Sequence, residues 1–408
     1  MKCRHCGAEL TLPLIDLGSA PPSNAYLSRE ALSTPEVWYP LRVLVCTNCW
    51  LVQTEDYAGR EALFKEDYAY FSSFSSSWLS HAQAYVAAMV ERFELTRESL
   101  VVEVAANDGY LLQYVRELGI PCYGVEPTTS TAAAARTKGI EVIEDFFGVS
   151  LAEGLRESRG SVDLLVANNV LAHVPDINDF VRGFARLLKP QGVATFEFPH
   201  LLRLVQEVQF DTIYHEHYSY LSLTAVKGIF EANGLAVFDV EELTTHGGSL
   251  RVFVQLRELG GHATSHRVGR VLEQEQEAGL LTVEGYRGFQ GKADAIKNDL
   301  LRFLLQAKQE GKVVVGYGAA AKGNTLLNYA GVRPDLMRFV VDRNPAKQGQ
   351  FMPGSRIAIL DETSLQDCNP DYVMILPWNL KSEVINQLDY IRSWSGRFVF
   401  AVPALEVL

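Results

Sequence analysis

The stretch Leu100-Val-Val-Glu-Val-Ala-Ala-Asn-Asp-Gly109 decides the fold of this chain. Residues 100–105 form a short apolar run that is typical of a buried parallel strand. A turn ending in glycine comes next, and residues 110–118 carry a helical pattern. A strand, a turn and a helix in this order begin a βαβ unit. The stretch therefore predicts an α/β fold with a parallel sheet.

The same alternation continues on both sides of this stretch. Strands are predicted at residues 121–126, 162–168 and 192–198, and helices at residues 78–97 and 131–138. Residues 236–243 and 250–256 are expected to end the sheet as an antiparallel pair around the turn His246-Gly-Gly-Ser249. Together these elements predict a doubly wound, Rossmann-like domain.

A second α/β unit is predicted in the C-terminal third of the chain. Residues 262–310 are charged and helical, and strands are expected at residues 337–342, 372–377 and 397–402. A length of 408 residues is too great for one core of ordinary size. We therefore predict three parts: a metal-tied module (1–70), the Rossmann-like domain (71–258), and a helical connector with a smaller Rossmann-like α/β domain (259–408).

Composition and charge weigh against several classes of partner. The chain is 48% hydrophobic and 21% charged, as in soluble globular proteins. Its net charge of −12 argues against nucleic acid or an anionic membrane as the main partner, while small anions remain possible through local groups. No apolar run approaches the about 20 residues that span a bilayer, and the N-terminus lacks the apolar core of a signal peptide. We expect a cytoplasmic protein.

Four of the six cysteines form two pairs, Cys3-x-x-Cys6 and Cys46-x-x-Cys49. Two thiolates separated by two residues can hold one tetrahedral ion from a tight turn, and a second pair completes a closed site. The spacing predicts a structural zinc ion bound by these four residues. The alternative is a redox-active CxxC, but the pairs come as two and no thioredoxin-like context follows.

The turn after the first predicted strand is a candidate cofactor site. Glu103-x-Ala105-x-Asn107-x-Gly109 has the spacing of the first motif of class I S-adenosylmethionine methyltransferases. Glu126 ends the next strand, where an acid accepts hydrogen bonds from ribose hydroxyls. Asn168 ends a further strand and is another candidate contact. The alternative is an ordinary βαβ unit whose turn contains glycine.

A second turn has a different spacing, Gly316-x-Gly318-x-x-Ala321, with Asp342 after the following strand. Taken alone, it matches a dinucleotide fingerprint and predicts a nicotinamide site. It also fits an anion-binding helix N-terminus, at which backbone N–H groups and Lys322 hold phosphates. A nucleotide diphosphate suits that arrangement as well as a dinucleotide does.

The run Phe210-Asp-Thr-Ile-Tyr214-His-Glu216-His217-Tyr-Ser-Tyr220 is rich in phenols, imidazoles and carboxylates. Such a density of titratable groups indicates a site that moves protons. His215-x-His217 could also bind a metal ion from one face of a strand, although no third ligand stands at a defined spacing. The later tyrosines are interpreted as pocket wall or core.

Taken together, these features resemble the bacterial nucleotide-sugar C-methyltransferases of deoxysugar biosynthesis, such as the dTDP-sugar C-3′-methyltransferases. The resemblance covers the whole chain and is far more specific than any single motif. It rests on the paired CxxC motifs, Glu103-Val-Ala-Ala-Asn-Asp-Gly-Tyr-Leu-Leu112, Asn169-Val-Leu-Ala-His173-Val, Tyr214-His-Glu-His217, Thr245-His-Gly-Gly-Ser-Leu-Arg251 and Gly316-Tyr-Gly-Ala-Ala-Ala-Lys-Gly323.

The resemblance implies a class I S-adenosylmethionine methyltransferase fold in the middle domain, structural zinc, and a C-terminal domain that helps to hold a dTDP-linked 4-keto sugar. It implies that Tyr214, Glu216 and His217 form the active-site trio, with His217 as the base. His173 and Tyr68 match further pocket positions, although either residue could equally be ordinary packing.

The implied reaction is methyl transfer to the carbon α to the sugar ketone, through base-catalysed enolate formation. Tyr214 is expected to donate to the enolate oxygen, while Glu216 either orients the imidazole or contacts a sugar hydroxyl. Arg251 suits the diphosphate through its charge and fork geometry, and Gly318 and Lys322 belong to the phosphate turn.

The expected partner is therefore a small-molecule nucleotide sugar, bound by a monomer. The competing hypotheses are an NAD(P)-dependent oxidoreductase that uses the second turn, and a zinc-bearing scaffold that only binds nucleotide sugars.

Overall fold

The computed structural model describes residues 1–57, 59 and 71–408. Three β-sheets, of four, seven and six strands, are formed by these residues. The strands are β1 (Leu12–Ala20), β2 (Tyr39–Val45), β3 (Val52–Thr54), β4 (Val101–Val104), β5 (Cys122–Val125), β6 (Glu141–Ile143), β7 (Val162–Asn168), β8 (Leu188–Pro199), β9 (Ser219–Tyr220), β10 (Leu235–Leu243), β11 (Ser249–Leu256), β12 (Val314–Tyr317), β13 (Val340–Val341), β14 (Ile359–Leu360), β15 (Tyr372–Ile375), β16 (Arg397–Phe400) and β17 (Glu406–Val407).

The α-helices of the same residues pack on these sheets. They are α1 (Ser76–Arg92), α2 (Leu112–Glu117), α3 (Thr129–Thr137), α4 (Val149–Arg159), α5 (Ile177–Leu187), α6 (Leu201–Gln206), α7 (Leu223–Ala232), α8 (His266–Glu277), α9 (Phe289–Gln309), α10 (Ala321–Tyr329), α11 (Ser364–Cys368) and α12 (Lys381–Gln387).

The seven-stranded sheet confirms the predicted Rossmann-like domain. Its order is β10-β11-β8-β7-β4-β5-β6, with β8, β7, β4, β5 and β6 parallel and the hairpin β10–β11 antiparallel at one edge. All four residues of β4 are buried. An apolar run rather than an alternating pattern is expected where both faces of a strand are covered.

Helix bounds differ from the predicted ones for local reasons. The helix predicted at residues 78–97 is α1, which begins at a cap in which the Ser75 hydroxyl accepts from the Trp78 N–H. It ends at Arg92, because Glu94 has a φ of +50° and leaves the helical region. The predicted connector is two helices, α8 and α9. Gly279 and Gly288, with φ of +83° and +80°, lie between them.

The six-stranded sheet is the predicted C-terminal α/β unit. Its order is β14-β13-β12-β15-β16-β17, and all neighbouring pairs are parallel except β16–β17. The short strand β14 was not among the predicted strands. Its two residues carry too little pattern to be distinguished from loop.

The four-stranded sheet connects distant parts of the chain. Strands β1, β2 and β3 follow one another in the chain. The fourth strand, β9, comes from the run of titratable residues 210–220, called the titratable run below, and pairs with β3. One buried apolar cluster joins Val43 of β2, Phe210 of the run and Leu327 of α10. The N-terminal sheet, the run and the C-terminal unit therefore share a core. The division at residues 70 and 258 stays a prediction.

In the part of the chain that the structure describes, no helix has the length and apolar character needed to cross a membrane.

Candidate active site

The first turn, residues 105–109, lies at the carboxyl end of β4. Ala105, Asn107 and Gly109 all have positive φ, at +59°, +48° and +75°. A Cβ on Gly109 would lie 2.4 Å from Cδ1 of Ile140, so this position requires glycine for space as well as for its φ. The turn brings the backbone close to the edge of the sheet, where parallel α/β folds bind their ligands.

Glu126 closes this turn from the neighbouring strand. One carboxylate oxygen accepts from the Asn107 N–H and the other from the Thr128 N–H, each at 3.0 Å. Burial raises the pKa of Glu126, and these donors oppose the rise. Glu126 therefore stands at the turn, where its remaining lone pairs suit ribose hydroxyls.

Buried oxygens without a protein partner lie beside the turn. Both carboxylate oxygens of Glu103 and Oδ1 of Asn168 are buried and lack a hydrogen bond of ordinary geometry among the described residues, and the Tyr110 phenol is the polar side chain beside them. Burial raises the pKa of Glu103 well above its usual range, and the charges of Asp108 and Glu126 add to the rise. Unpartnered buried acceptors are costly in a folded protein, so these residues fit a bound ligand that donates hydrogen bonds.

The titratable run is fixed by the N-terminal sheet. In the β3–β9 ladder, Val52 pairs with Tyr220 and Gln53 with Ser219. The Thr54 hydroxyl donates to the His217 carbonyl at 2.9 Å. Residues that follow the second cysteine pair directly therefore hold the backbone of the run.

His217 has a defined tautomer. Its Nδ1 lies 2.8 Å from the Thr212 carbonyl, which can only accept, so Nδ1 carries the hydrogen and Nε2 a lone pair. Burial lowers the pKa of His217 well below its usual value, and the neighbouring His173 adds to this. The imidazole is therefore neutral at pH 7. Its ring centroid lies 4.0 Å from that of Tyr214 and 4.6 Å from that of His173.

Glu216 is held at two points. Its backbone carbonyl accepts from Nδ1 of His173 at 2.9 Å. Its carboxylate oxygens accept from Nδ2 of Asn24 at 2.8 and 2.7 Å, and the residue is 1% exposed. Burial lowers the pKa of His173 to about 4. The structure thus places Tyr214, Glu216, His217 and His173 close to one another, and their catalytic roles stay a prediction.

The second turn faces the same region from the C-terminal unit. Gly318 has a φ of +84°, and a Cβ there would lie 2.6 Å from Cδ of Pro377. The Ala319 N–H donates to Asp342 at 2.7 Å. Helix α10 then begins at Ala321 without a side-chain cap, which leaves its first N–H groups suited to an anion.

The ammonium of Lys322 lies between the two α/β units. It donates to Asn379 at 2.6 Å and sits 4.5 Å from the Trp378 ring centroid. The indole of Trp378 in turn donates to Asp211 at 2.7 Å. Burial lowers the pKa of Lys322, and burial raises that of Asp211 to about 6. These contacts place a cation next to the titratable run.

Arg251 lies on β11 and is bound to carboxylates of the protein. Its guanidinium donates to Glu197 at 2.9 Å and to Glu241 at 3.2 Å, and its side chain is 7% exposed. A diphosphate contact would have to replace these bonds, so this role stays a prediction. The predicted pocket residue Tyr68 lies outside the described residues.

The four cysteines of the two CxxC motifs come together. Their Sγ atoms lie within 4.8 Å of one another, with 3.6 Å between Cys3 and Cys49 and 3.5 Å between Cys6 and Cys46. Gln53 donates to Sγ of Cys3 at 3.3 Å. Four clustered sulfurs fit a closed tetrahedral zinc site. Among the residues described, these four cysteines form the one group of potential metal ligands that cluster in this way. His215, considered above as a possible metal ligand, contacts the Tyr39 and Pro40 carbonyls through Nε2.

Sequence reasoning missed two residues of this site, Asn24 and Trp378, and gave no role to two others, Asp211 and Thr212, which lie in the titratable run. The contact of the Thr212 carbonyl and the position of the Trp378 indole depend on tertiary packing, which leaves no signal in the sequence. Asn24 lies in the Pro-containing stretch before Tyr26, which lacks helical and strand periodicity. A polar residue in such a loop is a weak signal on its own.

Comparison with known proteins agrees with this geometry. Residues 3–64, 78–240 and 244–403 match families described as "Putative zinc binding domain", "Methyltransferase domain" and "C-methyltransferase C-terminal domain". The C-methyltransferase NovU of Streptomyces niveus is 34% identical over 408 residues, which are 100% of this chain and 96% of NovU. A human mitochondrial ubiquinone biosynthesis O-methyltransferase is 25% identical over 152 residues, covering 34% of this chain and 41% of that protein.

Solved structures resemble less than half of the chain, and only loosely. The magnesium protoporphyrin IX methyltransferase of Synechocystis, solved with bound S-adenosylmethionine, is 15% identical with a TM-score of 0.33, covering 43% of this chain and 78% of that one. The PH0226 protein of Pyrococcus horikoshii is 14% identical with a TM-score of 0.38, covering 48% of this chain and 100% of that one.

The sheet order and the family matches define a class I S-adenosylmethionine-dependent methyltransferase with an N-terminal zinc-binding domain. The chain belongs to the C-methyltransferase family that includes NovU. It is an S-adenosylmethionine-dependent C-methyltransferase, and the oxidoreductase alternative has no support among these relatives.

Proposed function

We propose that this C-methyltransferase acts on the carbon α to the ketone of a nucleotide-linked 4-keto-deoxysugar of the dTDP type. Such a carbon becomes nucleophilic when it loses a proton and forms an enolate. The reaction needs a neutral base, a donor for the enolate oxygen and an anion site for the diphosphate. The described residues offer a candidate for each.

The tautomer of His217 is the observation that carries the proposal. The Thr212 carbonyl holds the hydrogen on Nδ1, and the lowered pKa keeps the ring neutral. Nε2 therefore offers a lone pair to the α-proton of the substrate. A neutral imidazole in a fixed orientation suits a general base.

Tyr214 and Glu216 have distinct proposed roles beside this base. Tyr214, whose ring packs on His217, donates a hydrogen bond to the oxygen on which enolate charge develops. The sequence left two roles open for Glu216. Because Thr212 already orients the imidazole through Nδ1, we propose that Glu216 accepts a hydrogen bond from a sugar hydroxyl. His173 holds the backbone of Glu216 in place.

The cofactor site is proposed at the first turn. Glu126 accepts from the ribose hydroxyls, while Glu103 and Asn168 offer their buried oxygens to the amino group. The left-handed turn from Ala105 through Asn107 to Gly109 gives the backbone close access. When bound, S-adenosylmethionine supplies an electrophilic methyl group.

The nucleotide diphosphate is proposed to bind at the second turn. The uncapped start of α10 and the left-handed Gly318 favour a phosphate. Lys322 adds a positive charge on the same side as the titratable run. This arrangement would direct the sugar ring toward His217.

Solvent exchange tests the base directly. His217→Asn should abolish methyl transfer and also the exchange of the substrate α-proton with deuterated water, while binding of S-adenosylhomocysteine is retained. The exposed His266 at the start of α8 provides a matched control, because His266→Asn should leave both rates unchanged. Exchange at the wild-type rate in His217→Asn would show that another group is the base.

Calorimetry tests the cofactor. The chain should bind S-adenosylhomocysteine and give no signal with NAD. Binding of NAD alone would overturn the proposed use of the first turn.

A further inference from the structure

The segment between β1 and β2 crosses to the C-terminal unit. The carbonyl of Ser23 accepts from Nδ2 of Asn324 at 2.6 Å, and the hydroxyl of Tyr26 donates to the Ala319 carbonyl at 2.6 Å. Leu27 exchanges two backbone hydrogen bonds with Phe351, at 3.0 and 2.8 Å. This segment, which belongs to the predicted zinc module, is therefore anchored on both sides of Asn24.

From this anchored segment, Asn24 reaches the catalytic run. Its Nδ2 lies 2.8 and 2.7 Å from the two carboxylate oxygens of Glu216. The direction of the amide is determined, because an ionised carboxylate can only accept and the amide oxygen can only accept as well. The amide oxygen faces the other way, 3.5 Å from the hydroxyl of Tyr26.

The contact is buried, so it matters energetically. Glu216 is 1% exposed, and a buried carboxylate depends on hydrogen bonds in place of water. Hydrogen bonds to a carboxylate stabilise more than those between neutral groups. Together with the bond from His173 to the Glu216 carbonyl, the Asn24 amide fixes both the backbone and the carboxylate of this residue.

We propose that Asn24 is a positioning residue of the active site: it holds the Glu216 carboxylate in one orientation for the substrate hydroxyl. The zinc-bearing N-terminal part then contributes a side chain to catalysis in addition to supporting the fold. The inference rests on the proposed role of Glu216 in substrate binding. It concerns a residue that itself touches neither the substrate nor the cofactor.

An isosteric substitution separates positioning from packing. Asn24→Asp keeps the shape of the side chain but sets a second carboxylate against Glu216, whereas Asn24→Ala only removes the donor. We expect Asn24→Asp to lower kcat about 100-fold and Asn24→Ala about 10-fold, in line with losing one charge-assisted hydrogen bond and adding a repulsion. A packing role predicts the reverse order, because alanine leaves a cavity and aspartate does not.

A double-mutant cycle shows whether the effect passes through Glu216. In a Glu216→Gln background, Asn24→Asp should lose its additional effect, because the repulsion needs both carboxylates. The probe is dTDP-4-keto-6-deoxyglucose, and the readouts are kcat, KM and deuterium exchange α to its ketone. The exposed Asn298 of α9 gives the control Asn298→Asp, which should match the wild type.

The outcomes distinguish this inference from the function on which it rests. If Glu216→Gln is impaired but Asn24→Asp behaves like the wild type, the positioning role is wrong and the proposed function stands. If Glu216→Gln keeps full activity, the proposed role of Glu216 fails. If the wild type neither methylates the probe nor exchanges its α-proton, the substrate proposal fails. Melting temperatures then test the contact between Asn24 and Glu216. Asn24→Asp should then have a lower melting temperature than Asn24→Ala. Glu216→Gln should abolish this difference. If the melting-temperature shifts of the Asn24 and Glu216 variants simply add, the proposed contact is overturned.

Discussion

The two α/β units carry the same turn with different surroundings. In each, an acid at the end of the neighbouring strand accepts from a turn N–H: Glu126 from Asn107 at 3.0 Å and Asp342 from Ala319 at 2.7 Å. The first turn has the buried carboxylate of Glu103 beside it. The second is covered by the N-terminal segment through Tyr26. The turn therefore provides a backbone cradle, and its neighbours determine which ligand the cradle suits.

Removal of the zinc ion should give the largest difference in ligand binding between the two turns. A structural zinc ion contributes about 10 kcal/mol or more to the folding of its module, and that module anchors Tyr26 on the second turn. After chelation we expect loss of measurable dTDP binding and of activity, whereas the affinity for S-adenosylhomocysteine changes less than about twofold. Calorimetry with each ligand measures this. An equal loss of both affinities would mean that the turns do not differ in this way.

Removal of each acid should show that only the first turn holds the methyl donor. Glu126→Ala removes an acceptor of charged hydrogen bonds worth about 1.5–3 kcal/mol, which corresponds to roughly a 10- to 100-fold weaker binding of S-adenosylhomocysteine. Asp342→Ala is the matched control and should leave that affinity within about twofold. If Asp342→Ala weakens it equally, the assignment of ligands to turns is wrong.

Substitution of the two glycines should destabilise the chain in different places. Gly109→Ala meets Ile140 at 2.4 Å and Gly318→Ala meets Pro377 at 2.6 Å, both at positive φ. We expect each variant to lose about 1–3 kcal/mol of unfolding free energy. Gly109→Ala should weaken S-adenosylhomocysteine binding, and Gly318→Ala should raise KM for the sugar nucleotide. Gly311→Ala, at a φ of +68° with open space around it, controls for backbone strain alone.

Acidification should affect both sides of the molecule together. Burial lowers the pKa of His173 and His246 to about 4 and that of His217 well below 6.5. Between pH 6.5 and about 4 these histidines therefore bind more protons in the unfolded chain than in the folded chain, and each lowers the free energy of unfolding by up to about 1.4 kcal/mol per pH unit as the pH drops. Burial raises the pKa of Glu103, Glu126 and Asp211, so these carboxyls act in the opposite direction within the same window.

The same shift sets the pH dependence of the reaction. Because His217 must be neutral to act as a base, the acid limb of the kcat profile should have its midpoint below pH 6.5. Urea unfolding at several pH values and a kcat profile measure the two effects. An acid limb of the kcat profile with its midpoint above pH 6.5 would contradict the neutral state of His217.

Much of the cofactor side of the molecule could be predicted from sequence. Residues 100–109 form a local pattern. Because β4 is buried on both faces, its run of apolar residues can be recognised in the sequence. The CxxC pairs are equally local, since two residues of spacing already limit the geometry of a metal site. The titratable run could be singled out because its titratable side chains are dense, while the choice of Tyr214, Glu216 and His217 within it came from the family resemblance.

The partners of that run could not be predicted, because they are separated from it in sequence. Asn24 lies 192 residues from Glu216, and Trp378 lies 167 residues from Asp211. The Thr212 carbonyl that sets the tautomer of His217 is a backbone group, which no side-chain pattern can indicate. Strand β9 has two residues and is too short to show a period.

By itself, the sequence determined the sheet class and the metal ligands and pointed to the candidate reactive side chains, since each depends on residue type and short spacing. Only the tertiary structure decided how those side chains are held: which nitrogen of His217 carries the hydrogen, what fixes Glu216, and which turn the N-terminal segment covers. The physical reason is that hydrogen-bond direction and burial arise from contacts across the fold, between groups whose separation along the chain leaves no periodic signal.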